Sequence, residues 1–372
     1  MKKIKLIIYH PYSRLGGADN SLKKLLEGLD TKKFSITFIS LNNSIIKKDL
    51  RNKVKFINLN FSRAILSIFK LRRIVLNYKC SNKFSKIIIF SNQNYGNIIS
   101  FISLFNLKNV KKIFIDRNHL DELNYSESFS KFLKNKLIKI LIKLIYKHAD
   151  LVIGISKKLS SDLSNFANTN VKTIYSPAFD KSIIRKATKK INLPKKYNYI
   201  INVSRFTKRK DHFTSIYGFK LASEKIKNLK LILIGYGPEY QNIKKLIQRL
   251  KIQKKVLIFQ NINNPYPYIK KSSLLILSSK YEGMGNVLVE AITLNTPVIS
   301  SNCKAGPSEI LLHGKGGYLF EVSNFKDLSN KIIKYFKNKK ILKKKLNIAK
   351  KELYRFELTR HIKIYTNVFE RI

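Results

Sequence analysis

Cysteine and acidic residues are scarce in this chain, and each shortage narrows what the protein can be. Two cysteines in 372 residues, Cys80 and Cys303, supply neither a disulfide framework nor the four ligands of a structural zinc. A reducing compartment suits such a chain. Long apolar runs are missing too. Lysines interrupt every greasy stretch before it reaches the roughly 20 residues of a transmembrane helix. After Met1-Lys2-Lys3 the first apolar run ends at His10-Pro11, which is short for a secretory signal. Several enzyme signatures are absent as well. There is no P-loop, no Gly-x-Ser-x-Gly elbow, no His-Glu-x-x-His and no Asp-x-Asp for a metal–diphosphate site.

The 22 Asp and Glu face 74 Lys and Arg, a formal charge of +52. Two readings of that charge stand. One is a solvated lysine surface set by AT-rich coding, in keeping with the abundance of Lys, Ile and Asn. The other is a surface drawn to anionic membranes or nucleic acid. Hydrophobic residues make up 44% of the chain, enough for packed cores. At about 100–200 residues per domain, two domains are expected.

Short apolar runs alternate with helical periodicity along the whole chain. The first half offers strands at Ile4–Tyr9, Phe34–Ser40, Val54–Leu59, Lys86–Phe90, Lys112–Ile115, Leu151–Ile155 and Val171–Tyr175. The second offers Tyr199–Val203, Lys230–Ile234, Val256–Phe259, Leu274–Leu277, Pro297–Ser300 and Gly317–Phe320. Their unbroken apolar character suits parallel sheets buried on both faces. The expected architecture is two doubly wound α/β domains. Domains are placed at 1–178 and 197–356, with a linker over 179–196 and a last helix over 357–372.

The strongest motif is Glu282-Gly283-Met284-Gly285-Asn286-Val287-Leu288-Val289-Glu290. It follows a strand and opens a helix. Two acids flank a glycine-rich helix start, whose first N–H groups favour a phosphate. Continuous helix would set the acids about 12 Å apart, the scale of a sugar diphosphate with its ribose. Arg205 and Lys210 lie five apart on the loop after another strand, able to clamp a diphosphate without a metal. Gly235 and Gly237 sit at a third strand end and let backbone approach a ligand. Gly16-Gly17 makes a second phosphate-friendly helix start.

Together these residues resemble the retaining glycosyltransferases of family 4. Arg205…Lys210, Gly235-x-Gly237-Pro238, Asn264-Pro265-Tyr266-Pro267-Tyr268, the two glutamates and Gly306-Pro307-Ser308-Glu309-Ile310 occur in the family's order. The Asn-Pro-Tyr-Pro-Tyr and Gly-Pro-Ser-Glu-Ile elements look like members that build bacterial surface glycans, lipopolysaccharide among them, often with UDP-HexNAc donors. Gly285 stands where proline is frequent, and Asp211 where glycine often appears. The resemblance implies the GT-B fold, two Rossmann-like domains facing a cleft with the C-terminal helix crossing back. It implies that Glu290 holds the ribose and Glu282 contacts the transferred sugar. Arg205 and Lys210 would stabilise the leaving diphosphate, with no cofactor and no metal. Gly16, Gly17, Gly235, Gly237, Gly283, Met284, Gly285, Asn286 and Val287 would line the donor site, and Gln260 to Ile262 would hold the base.

On the acceptor side, His119 is a candidate for positioning or deprotonating a hydroxyl, with Arg117 an alternative at that strand end and His10 a further candidate. Lys136, Lys139, Lys143 and Lys147 fall on one stripe of a helix whose other side is apolar. That pattern suits docking on anionic lipid. The reading is a cytoplasmic enzyme, peripheral on the inner face of the membrane. Its partners would be a nucleotide-sugar and a glycan or polyprenyl-linked acceptor, with no specific nucleic acid. A GT-B UDP-sugar epimerase and a basic nucleic-acid-binding protein are the alternatives.

Overall fold

The computed structural model describes residues 2–13, 16–44, 46–125 and 128–372. It divides into two compact units, one of residues 1–177 with 358–372, the other of residues 178–357.

Unit 1 is built on seven strands: β1 Ile4–Tyr9, β2 Phe34–Ser40, β3 Val54–Asn58, β4 Lys86–Asn92, β5 Val110–Asp116, β6 Leu151–Gly154 and β7 Val171–Thr173. Their order is β3-β2-β1-β4-β5-β6-β7, and every pair is parallel. The centre is wholly apolar for a physical reason. Helices cover both faces of β1 and β4, so Leu6, Ile7, Ile8, Ile88, Ile89 and Phe90 are all buried. Pairing places Ile8 beside Phe90 and Tyr9 beside Ser91.

Unit 2 repeats the plan with β8 Asn198–Val203, β9 Leu229–Ile234, β10 Val256–Phe259, β11 Leu274–Leu277, β12 Val298–Ser301 and β13 Tyr318–Phe320. The order is β10-β9-β8-β11-β12-β13, again all parallel. The order reverses beside β8, so the ends of β8 and β11 flank a crevice of the kind where open α/β sheets take ligands.

One expectation changes at the joins and one holds. Residues 179–196 do not form a free linker. They carry the helix Ser182–Lys186, and Asn264 and Lys271 donate to the carbonyls of Lys186 and Ile191 at 2.8 and 2.6 Å, tying the stretch to unit 2. The last helix, Leu358–Arg371, belongs to unit 1. It buries His361, Tyr365, Val368 and Phe369, and the Phe369 ring meets Phe34 and Phe90 edge-on at 5.9 and 5.6 Å. An ion pair between Lys33 and Glu370 at 2.8 Å closes its outer edge.

No helix among the described residues is long and apolar enough to cross a membrane.

Candidate active site

The loop after β8 and the loop after β11 meet in unit 2, and that meeting assembles the charged centre. Lys210 ends a short 3-10 turn, Lys208–Lys210, and its Nζ forms an ion pair with Glu282. Ser279 Oγ donates to the same carboxylate oxygen at 2.6 Å. The backbone N–H of Lys280 reaches the carbonyl of Arg209 at 2.8 Å and locks one loop to the other. Burial alone would raise the Glu282 carboxyl. The charges of Lys210 and Arg209 and the hydrogen bonds to Lys210 and Ser279 outweigh it, so the group stays below the usual glutamate range and ionised. Burial lowers Lys210 against the opposing pull of Glu282, and the charge of Arg205 lowers it further, so Arg205 lies within electrostatic reach of Lys210.

A polar chain under this loop fixes its shape. Asn202 donates to Ser215 at 3.0 Å, Ser215 to Ser278 at 2.7 Å, and Ser278 caps the carbonyls of Lys210 and Asp211 at 2.9 and 2.8 Å. Asp211 adopts φ 47°, a left-handed conformation that glycine takes freely and aspartate tolerates. Its carboxylate then caps the helix His212–Lys225 by accepting from the N–H and hydroxyl of Thr214 at 3.3 and 2.8 Å. Burial and the Lys210 charge push His212 down to about 3, so the ring is neutral where it contacts Ser204 at 3.1 Å.

The glycines serve this loop rather than a ligand alone. A Cβ on Gly235 would run into the carbonyl of Ser204, and one on Gly237, at φ 147°, into that of Phe206. Both glycines therefore let the β9 loop lie directly against the strand end that presents Arg205. Gly306, at φ 78°, makes the same allowance for Met284.

Glu282 is not helical, which corrects the spacing expected from the motif. The helix starts only at Asn286 and runs to Thr293, with Glu290 in its second turn. Gly285 precedes it at φ 82°, an angle the ring of proline forbids. Glu290 accepts a hydrogen bond from the hydroxyl of Tyr266, which opens the helix Tyr266–Lys271. Burial, Glu290 and Asp180 together hold that phenol well above its ordinary range. Sequence reasoning gives Tyr266 no role of its own. Its place in Asn-Pro-Tyr-Pro-Tyr, just inside a Pro-initiated helix, is the signal that could have found it. Gln260 and Ile262 follow β10, with Asn261 between them at φ 55°.

Unit 1 gathers its candidates at the ends of β1, β4 and β5. His10 is buried after β1, and its Nε2 lies 3.1 Å from Asp19 in the first turn of the helix Gly17–Gly28. Ser13 donates to the same Asp19 oxygen at 2.9 Å. Gly16 is extended at φ −174°, so its conformation does not demand glycine. Arg117 is buried and its Nε donates to Asn92 at 2.9 Å. His119 has both nitrogens engaged. Nδ1 accepts from the Asp121 N–H at 3.2 Å, which leaves Nε2–H to donate to Asp162 at 2.8 Å.

Three comparisons bear on this geometry. The sequence profile of the family described as Glycosyl transferases group 1 matches residues 183–352. Over 366 residues, 96% of each chain, the protein is 28% identical to the N-acetylgalactosamine-N,N'-diacetylbacillosaminyl-diphospho-undecaprenol 4-alpha-N-acetylgalactosaminyltransferase of Campylobacter jejuni. Among solved structures it resembles a glycosyltransferase from Rickettsia africae, with TM-score 0.79 and 19% identity over 100% of this chain and 98% of that one. Anabaena HepE in complex with UDP and glucose gives TM-score 0.76 and 17% identity over 99% and 100% of the two chains.

Proposed function

We propose a specific reaction for this chain, whose residues 183–352 match the family Glycosyl transferases group 1 and whose two parallel sheets have the GT-B arrangement. The enzyme transfers a hexose or HexNAc from a UDP-sugar to a glycan or lipid-linked acceptor in surface-polysaccharide biosynthesis, with retention at the anomeric carbon. The observation that carries this reading is the ion pair between Lys210 and the buried Glu282, which joins the loops after β8 and β11.

The bond that breaks joins the sugar C1 to a diphosphate oxygen, the bond that forms joins C1 to an acceptor hydroxyl oxygen, and the proton of that hydroxyl passes to the departing diphosphate oxygen. Charge builds on the departing UDP. Arg205 and Lys210 are cations already held in a poorly hydrated loop, so they stabilise that charge without reorganising. Glu282 stays ionised, orients Lys210 and accepts hydroxyls of the transferred sugar. Glu290, steered by Tyr266, takes the ribose hydroxyls, and the N–H groups opening the helix Asn286–Thr293 face the phosphates. The backbone at 260–262 holds the uracil.

His10 and Arg117 of unit 1 are assigned to the acceptor. His119, with both nitrogens occupied, positions the turn from Arg117 to Asp121. The relative from Campylobacter is named for transfer onto a diphospho-undecaprenol glycan, which supports a polyprenyl-linked acceptor here. The test is a screen of UDP-sugars against polyprenyl-diphosphate glycans, followed by product mass. UDP release coupled to one added sugar supports the proposal. Interconversion of free UDP-sugar epimers with no acceptor would replace it with epimerase chemistry.

A further inference from the structure

Unit 1 carries an apolar face that its own fold leaves uncovered. The 3-10 turn Ala64–Ser67 leads into the helix Ile68–Cys80, which packs on the helix Asn94–Ser103, which packs on the helix Phe129–Ile145. The last of these is apolar on two sides. Ile138, Ile142 and Ile145 are buried against the rest of the unit, whereas Leu133, Leu137, Ile140 and Leu144 point outward at helical spacing. The apolar residues expected to share one side of this helix therefore divide between two faces. Phe69 is 84% exposed, Phe129 75% and Phe105, just past the helix Asn94–Ser103, 56%, so the exposed apolar residues come from adjoining elements. Bulky residues exposed over several adjoining elements make a patch larger than isolated surface leucines do, and such patches mark docking sites.

The charge around the patch selects the occupant. Residues 61–80, 94–108 and 128–148 hold twelve Lys and Arg and no Asp or Glu. A second copy docking through the same face would press these cations against their like. Nucleic acid would meet the cations but gain nothing from exposed leucine. An anionic bilayer satisfies both, with phosphates for the cations and acyl chains for the side chains. We propose that this face of unit 1 docks on an anionic lipid surface, with Leu66, Phe69, Phe105, Phe129, Leu137 and Leu144 entering the acyl boundary and Lys136, Lys143 and Lys147 at the headgroups. The docking does not depend on the reaction assigned above. Lys139 contributes less than the sequence stripe suggested, because it is half-buried and bonded to Asn124.

The experiment is co-sedimentation of the full chain with phosphatidylglycerol/phosphatidylcholine vesicles and with pure phosphatidylcholine, at low and high salt. Wild type should bind only the anionic vesicles, and salt should release it. Phe69→Ser, Phe129→Ser, Leu137→Ser and Leu144→Ser combined leave the net charge at its original value. They should weaken binding by about tenfold or more. Lys136→Glu, Lys143→Glu and Lys147→Glu combined should weaken it by about a hundredfold or more. The control Lys337→Glu, Lys340→Glu and Lys344→Glu alters charge equally on exposed sites of unit 2 and should bind nearly as wild type. Circular dichroism and melting confirm that each variant is folded. Vesicle binding unaffected by the serine variant, or lost equally in both lysine variants, would overturn the proposal. So would a lipid-free dimer that the serine variant dissociates, since the face would then belong to a second copy.

Discussion

At the residue scale the chemistry turns on a few buried charges. Glu282→Gln keeps shape and removes charge, and it should lower turnover about ten- to hundredfold while the protein stays folded. Lys210→Ala should do the same and also cost stability, on the order of 3 kcal/mol, because Glu282 is left buried without its cation. Wild-type kinetics in either variant would remove the pair from the reaction. Glu290→Ala should act mainly on donor KM, and Tyr266→Phe should move the same parameter by less, since it only steers Glu290. A second buried acid makes a prediction about pH. Asp116 accepts from Tyr146 at 3.2 Å and Asn97 at 3.3 Å, and burial raises it to about 7 from 3.8. The folded state then holds a proton that the unfolded chain releases. Stability from this group is complete below the unfolded value, falls as pH rises, and is gone above about 7. Denaturant titrations at pH 5 and pH 8 should show wild type losing about 3 kcal/mol more than Asp116→Asn. Equal losses would refute a proton on Asp116. Arg205, Lys210 and the two glutamates stood out in the sequence because the two cations suit a diphosphate and the two acids suit the hydroxyls of a sugar and a ribose. The sequence did not disclose that Lys210 and Glu282 pair, or that Tyr266 reaches Glu290, since those contacts join loops far apart in the chain.

At the element scale the loops after β8, β9 and β11 behave as one assembly. Gly235→Ala should disturb the Ser204–Phe206 strand end and depress turnover, although the side chain at 235 would touch no substrate. Normal turnover in a folded Gly235→Ala variant would show that the tight approach of β9 to that loop is dispensable. The strands were readable nearly to the residue. A parallel sheet buried on both faces forces uninterrupted runs such as Ile87-Ile88-Ile89-Phe90, and no helix-period pattern competes with them. Less was readable at the helices. The Glu282–Glu290 spacing suggested continuous helix, but Gly283 and Gly285 delay its start to Asn286. The helix Phe129–Ile145 read as having one apolar side because periodicity reports which residues share a face, not whether anything covers it. Residues 179–196 read as a linker because their contacts with Asn264 and Lys271 are long-range.

At the scale of the whole molecule the net charge of +52 is unevenly used. Twelve of the cations frame the exposed apolar face of unit 1, while Arg205, Arg209 and Lys210 concentrate at a strand end of unit 2. Arg205 and Lys210 are assigned the charge stabilisation that a divalent ion supplies in other diphosphate sites. Transfer should therefore persist in excess EDTA, and activity that vanished with chelator and returned with Mg²⁺ or Mn²⁺ would contradict that assignment. A single experiment joins this condition to stereochemistry. The enzyme is supplied with an α-linked UDP-sugar and a polyprenyl-diphosphate glycan in EDTA, and the anomeric configuration of the new linkage is read by NMR. Metal-free retaining transfer requires an α-linked product formed with one equivalent of UDP. A β-linked product, or no transfer until a divalent metal is added, would contradict it.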